Sequence, residues 1–224
     1  MHNFKSIKPF FVISRYKETF DWIHNYTENF LIYNKGEPID GDSRILNVNN
    51  IGENIQDISE FICSYYENLP ELTVFVQANP WDHCRKEVFD KLILNDKFTP
   101  LESYNNIAEI EGHKKDTDGG YMEINTNWYI VTQKIFHDKD SVYDNFDRFM
   151  NKYFDNYVHL EYIRFSPGVQ YLVTKADILQ YPKHFWESLR LEIKENKSTE
   201  AMIIERALWL IFTKKFNLRK EFYE

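Results

Sequence analysis

The chain holds only two cysteines, Cys63 and Cys84, and no Cys-x-x-Cys pair. That excludes both a disulfide framework and a zinc ribbon. No apolar run approaches the roughly eighteen residues a membrane-spanning helix needs. The opening, MHNFKSIKPFFVISRY, carries an apolar run too short for a signal peptide. A cytoplasmic, soluble protein is the expectation. Basic side chains are also in deficit, with 27 Lys and Arg against 35 Asp and Glu, a net charge of −8, and they are scattered. Without a basic face, nucleic acid is not an expected partner. The sequence lacks GxGxxG, a Walker GxxxxGK[ST], a GxSxG elbow and HExxH, so dehydrogenase, P-loop, serine-hydrolase and zincin readings lose their main supports.

What is present is a core. At 224 residues, 43% hydrophobic and 17% aromatic, the chain can bury one without disulfides or a structural metal. No repeat, low-complexity tract or linker divides it, so a single domain is expected over residues 1–224. Phe10 to Ser14 and Phe30 to Tyr33 are short apolar runs of the kind buried in a sheet, and Ile45 to Val48 suits a third strand. Thr19 to Tyr26 has helical spacing. Ile55, Ile58, Phe61, Ile62 and Tyr65 mark an amphipathic helix over Glu53 to Asn68. Thr73 to Val76 is the next strand and Arg85 to Leu94 the next helix. This alternation predicts an α/β domain with a mostly parallel central sheet flanked by helices. Farther on, Phe98 to Asp118 reads as a loop and Asn127 to Thr132 as a strand. Val142 to Phe154 is helical. A turn at Ser166-Pro167-Gly168 leads to a strand at Val169 to Thr174. Helices are expected over Lys175 to Leu179, His184 to Lys194 and Thr199 to Phe212.

In open α/β sheets ligands bind beyond the carboxyl ends of the strands. Those ends carry Ser14, Arg15 and Tyr16, then Tyr33, Asn34, Lys35 and Gly36, then the loop Gln77 to His83. Asp82 suits a hard cation such as Mn²⁺ or Mg²⁺, with Gln77, Asn79 and His83 beside it. Asp82 fits equally as a cap on the following helix. Arg15 and Lys35 suit a diphosphate, Arg15 through its planar fork. Trp81 suits stacking on a ligand, or the core. Glu200 and Glu205 lie five apart on the last helix, so at most one points into a site.

The chain resembles a widespread domain-of-unknown-function family related to the GT-A glycosyltransferases, and is similar to small GT-A domains of large algal viruses. Five pieces in order carry the resemblance: VISRYKETFDWI (12–23), IYNKG (32–36), NNIGENIQDISEFICSYYENLPELTVFVQANPWDH (49–83), SPGVQYLVTKADILQYPKHFWESL (166–189) and IERALWLIF (204–212). It implies a single GT-A-like domain, with residues 1–95 the nucleotide-binding half and 96–224 the acceptor half. It also implies a nucleotide-diphosphate-sugar donor, such as a UDP-sugar, and a glycan or other hydroxyl acceptor.

On that resemblance Ser14, Arg15, Tyr16 and Glu18 hold base and ribose, with Tyr33, Asn34 and Lys35 nearby. The family's Asn, Gly and Glu pattern falls on Asn50, Gly52 and Glu53. The metal-holding Asp-x-Asp falls on Ala78 to Asp82, where this chain offers one acid instead of two. Glu205 and Glu200 are the candidate general bases, with Asp118 and Glu123 as outsiders. The rival readings are a nucleotide-sugar-binding protein with decayed catalysis, and a metal-dependent phosphoesterase or nucleotidyltransferase.

Overall fold

Along strand β1 (Phe10–Arg15) successive side chains point to opposite faces. Phe11 and Ile13 belong to one apolar cluster and Val12 to another, and this alternation organises the whole molecule. The computed structural model describes residues 8–103, 112–125, 146–196 and 198–223.

Strands β2 (Phe30–Asn34), β3 (Ile45–Asn47), β4 (Leu72–Gln77), β5 (Thr99–Pro100) and β9 (Tyr171–Thr174) join β1 in a six-stranded sheet of order β3-β2-β1-β4-β9-β5. Three strands, β6 (His113–Lys115), β7 (Tyr121–Ile124) and β8 (Tyr162–Arg164), form a second sheet. Helices α1 (Glu53–Tyr65), α3 (Phe146–Tyr153), α4 (Lys175–Leu179), α5 (Lys183–Asn196) and α6 (Ser198–Thr213) supply the first cluster. It packs Val12, Leu31, Phe75, Tyr171 and Val173 against Phe61, Trp186, Ile204 and Leu208. The opposite face is covered more thinly, by helix α2 (Lys86–Leu92) through Phe89 and a 3-10 turn (Asp21–Asn25) through Ile23. The helix expected over Thr19 to Tyr26 is this 3-10 turn, since a short connection of few residues favours the tighter winding. On α5, Phe185, Trp186, Leu189 and Ile193 are fully buried, at about 1.5–3 kcal/mol per large side chain.

The expectation of a mostly parallel sheet is corrected. β1 runs parallel to β2 and β4, and β2 parallel to β3. Among the described residues beyond 98 every strand pairing is antiparallel: β4 with β9, β5 with β9, β6 with β7 and β7 with β8. The reason lies in where the chain re-enters. Tyr171 opens β9 opposite Phe75 and Thr174 ends it opposite Leu72, so β9 arrives at the carboxyl end of β4 and runs back. A parallel neighbour would instead require a crossover that returns the chain to the other end. The stretch Phe98 to Asp118, expected as a loop, holds strands β5 and β6, and β7 and β8 are likewise unexpected; these short segments mix polar and apolar residues without clean alternation. The strand expected at Asn127 to Thr132 lies outside the described residues. Among the described residues no helix is long and apolar enough to cross a membrane.

Candidate functional site

The parallel half of the sheet aligns three strand ends. Ser14 sits in register with Tyr33 and Gln77, and Arg15 with Asn34. The loops leaving these ends meet closely. A Cβ on Gly36 would lie 1.7 Å from the Tyr16 carbonyl oxygen, so only glycine admits this approach. Arg15 donates Nε–H to the Glu18 carbonyl at 2.9 Å and Nη1 to Asn34 Oδ1. Asn34 is buried and also donates Nδ2 to Asn47 Oδ1 at 2.7 Å, so it positions Arg15 and does not face a ligand. The Glu18 carboxylate accepts the Tyr16 and Lys17 N–H groups at 2.9 and 3.0 Å. Burial opposes its ionisation, but these N–H groups, its own N–H and Arg15 outweigh it and hold its pKa below the ordinary range.

A cavity of about 270 Å³ opens above these ends. Ser14, Arg15, Tyr16 and Glu18 line it from the loop after β1, and Lys35 from the end of β2. Asn50 and Glu53 come from the entry to α1, and Gln77, Asn79 and Asp82 from the loop after β4. Ten of the expected ligand-facing residues therefore converge, and Asn54 joins them.

Lys35 is not free to swing onto a ligand. Its Nζ lies 2.7 Å from Asp57 Oδ2, with side chains only 4% and 3% exposed, and also donates to the Glu53 carbonyl. Burial pushes the Asp57 carboxyl up to about 6, against the opposing pull of Lys35 and the Ser14 hydroxyl. Asp57 has no motif around it and falls on the buried side of an amphipathic helix, so sequence reasoning missed it.

A second cavity, of about 280 Å³, shares Glu53, Asn54 and Gln77 with the first. Its other walls come from the chain's second half: Pro167 and Gly168 from the turn before β9, Tyr121 and Glu123 from β7, and Met202, Glu205 and Arg206 from α6. The same antiparallel return that breaks the expected sheet brings this turn to the end of β4. Glu205 accepts the Gly168 N–H at 2.8 Å, and Arg206 Nη1 lies 3.5 Å from its other oxygen. Burial pushes the Glu205 carboxyl above its ordinary range, with Glu53 and Glu123 adding to the shift and Arg206 and Gly168 opposing it. Arg206 is itself clamped by Glu123 through two bonds of 3.1 and 2.9 Å. A half-buried carboxylate of raised pKa in a cleft has the character of a proton acceptor.

Two non-glycine residues at this junction adopt left-handed backbone, Glu53 at φ +50° and Val169 at φ +56°. They flank the 2.6 Å bond from Asn54 Nδ2 to the Gly168 carbonyl. Such conformations cost of order 1–3 kcal/mol each and persist where the surroundings impose them. Glu53→Gly, free of that strain but paying about 0.5–1 kcal/mol of backbone entropy, is expected to leave the thermal midpoint unchanged or raised. A midpoint lowered in a thermal melt would show that the Glu53 side chain serves the fold.

The remaining expected residues are placed apart. His83 lines the second cavity, against Gly168, whereas Asp82 lines the first. Burial lowers the His83 pKa, with Asp82 opposing. Asp82 does not cap α2, which follows Arg85 without a side-chain cap; it accepts Asn79 Nδ2 at 2.7 Å. Trp81 packs edge-on to Trp22 and Phe89, in the core. Glu200 is fully buried and lines neither cavity, so of the two α6 acids only Glu205 reaches the site. Tyr33 lines a different cavity, and so does Asp118.

Among the described residues no three His, Cys, Asp or Glu side chains come together as a metal cage. The oxygens of Asp82, Asn79 and Gln77 do suit a hard cation that takes its other ligands from water and substrate phosphates, which needs only one protein carboxylate. The fit is thus to an ion that arrives with a phosphate ligand.

These features define a mixed α/β domain with a two-chambered polar cleft at the carboxyl ends of its parallel strands. The chain belongs to the family described as protein of unknown function (DUF3431), whose model matches residues 11–222. No curated protein and no solved structure matches it.

Proposed function

We propose that the protein is a glycosyltransferase that moves a sugar from a nucleotide-diphosphate donor, such as a UDP-sugar, to a hydroxyl acceptor. The observation that carries this reading is the pair of adjoining chambers, one lined by Arg15, Lys35 and a lone Asp82, the other by the half-buried carboxylate Glu205. The GT-A resemblance supports the same assignment.

In this reading the first chamber takes the donor. Arg15 offers its guanidinium to the diphosphate and stabilises the charge that builds as the leaving group departs. Lys35, pinned by Asp57, adds a fixed positive charge at the chamber wall. Mn²⁺ or Mg²⁺ held by Asp82 with the donor phosphates would supply further charge neutralisation. The acceptor lies in the second chamber, where Tyr121 offers a ring to a sugar face and Asn54 a polar partner. The acceptor oxygen attacks the anomeric carbon, the bond from that carbon to the diphosphate oxygen breaks, and Glu205 takes the hydroxyl proton.

Asp82→Ala is expected to fold normally and lose donor turnover by about 10²-fold or more. The same variant should lose the gain in UDP affinity that Mn²⁺ confers on the wild type. Calorimetric titration with UDP-glucose and Mn²⁺, followed by donor-hydrolysis and transfer assays, tests both points. Wild-type rates in Asp82→Ala would remove the assignment. The single acid in place of two favours one alternative, a nucleotide-sugar-binding protein with decayed catalysis. Donor binding without hydrolysis or transfer would select it, and diester cleavage without sugar specificity would point to a phosphoesterase.

A further inference from the structure

A third cavity, of about 350 Å³, lies between α1 and the β2–β3 edge of the sheet, and the proposed reaction makes no use of it. Three of the molecule's exposed large apolar side chains converge there: Leu46, Ile51 and Tyr65, at 38%, 37% and 41% exposure. Clustered exposed apolar groups of this kind mark binding surfaces, whereas scattered ones do not. The polar lining is of one character. Asp57 and Glu60 face the cavity from α1, and no Lys, Arg or His lines it. Gln56, 7% exposed, also lines it, and its Oε1 has no hydrogen-bond partner. A buried acceptor of this kind gains from any donor that reaches it.

The two carboxylates have cations behind them, Lys35 on Asp57 and Arg190 on Glu60 at 3.3 Å. Burial raises the Tyr33 hydroxyl pKa, and Asp57 and Glu60 add to that shift.

We propose that this cavity is a binding site for a small organic cation, a primary amine carried on an aromatic or branched apolar body. The apolar body lies between Tyr65, Ile51 and Leu46, and the ammonium donates to Asp57 and the Gln56 amide oxygen. Asp57 also holds Lys35 in the wall of the strand-end cleft, but the two sites share no lining residue, and the proposal does not rest on the function proposed for that cleft.

Benzylamine and its neutral isostere benzyl alcohol are the probes, titrated into the full chain by calorimetry with binding mapped by NMR. Benzylamine is expected to bind about tenfold tighter than benzyl alcohol, as a charge-assisted hydrogen bond implies. Ile51→Arg, which brings a cation to the rim of the cavity, should abolish that binding without moving the thermal midpoint. Should that variant fold poorly, Tyr65→Ala should weaken benzylamine while leaving UDP binding unchanged. Equal affinity for the two probes, binding of neither at millimolar concentration, or shifts confined to the strand-end cleft would overturn the proposal. So would competition between UDP and benzylamine, which would make this cavity part of the donor site.

Discussion

Glu205→Gln is expected to lower sugar transfer by about 10²–10⁴-fold while leaving UDP affinity and thermal stability near wild type. The substitution keeps an oxygen to accept the Gly168 N–H, and Arg206 keeps its two bonds to Glu123, so the wall of the second cavity survives. What is lost is the ability to take a proton. Burial holds the Glu205 carboxyl above the ordinary range, which brings its basicity closer to neutral pH. Only the ionised form accepts a proton, so transfer should rise with pH through that elevated pKa and then level off. A pH–rate profile whose acid limb lies at an ordinary carboxylate value would assign the base elsewhere. Unchanged transfer in Glu205→Gln would do so outright, and the buried Glu200, which lines neither cavity, would not be the replacement.

Asp57→Ala is expected to destabilise the fold by about 3–5 kcal/mol, because it strands the buried Lys35 without its counter-charge. Asp57→Asn should cost less, since an amide oxygen can still accept from Nζ. Denaturant titration at neutral pH measures both. The pH dependence has a definite sign. Folding raises the Asp57 pKa from 3.8 to about 6, so the folded state holds this proton more tightly than the unfolded state. The stabilising share of this group is therefore complete below the unfolded value and is lost as pH climbs through about 6. Wild-type stability should fall over that interval by an increment that Asp57→Asn lacks. Equal slopes in the two proteins would mean that the carboxyl is not held above its ordinary range.

The two predictions draw on different parts of the chain, and their legibility in the sequence differs accordingly. The first chamber could be read from residue order because it is built from strand ends. Each of β1, β2 and β4 is a short apolar run, its last residue is followed by polar ones, and parallel neighbours in register must bring those polar residues together. Ser14, Arg15, Gln77 and Asp82 needed no knowledge of distant contacts. Lys35 was legible as a residue but not as a partner, because the acid that pins it sits twenty-two residues away in sequence, hidden on the buried face of α1. Tyr33 illustrates the limit of strand-end reasoning: a side chain there points to one face or the other, and this one points into the cavity beside α1.

By itself the sequence determined the aligned strand ends, the amphipathic α1 and the acid-poor loop ending in Asp82, since each follows from local periodicity and residue type. The direction of β9 and the second chamber were decided by tertiary structure alone. Parallel and antiparallel neighbours present similar short apolar runs, so Tyr171 to Thr174 carries no mark of its direction. That direction depends on where the intervening chain returns, and the return is what sets Gly168 against His83 and beneath Glu205.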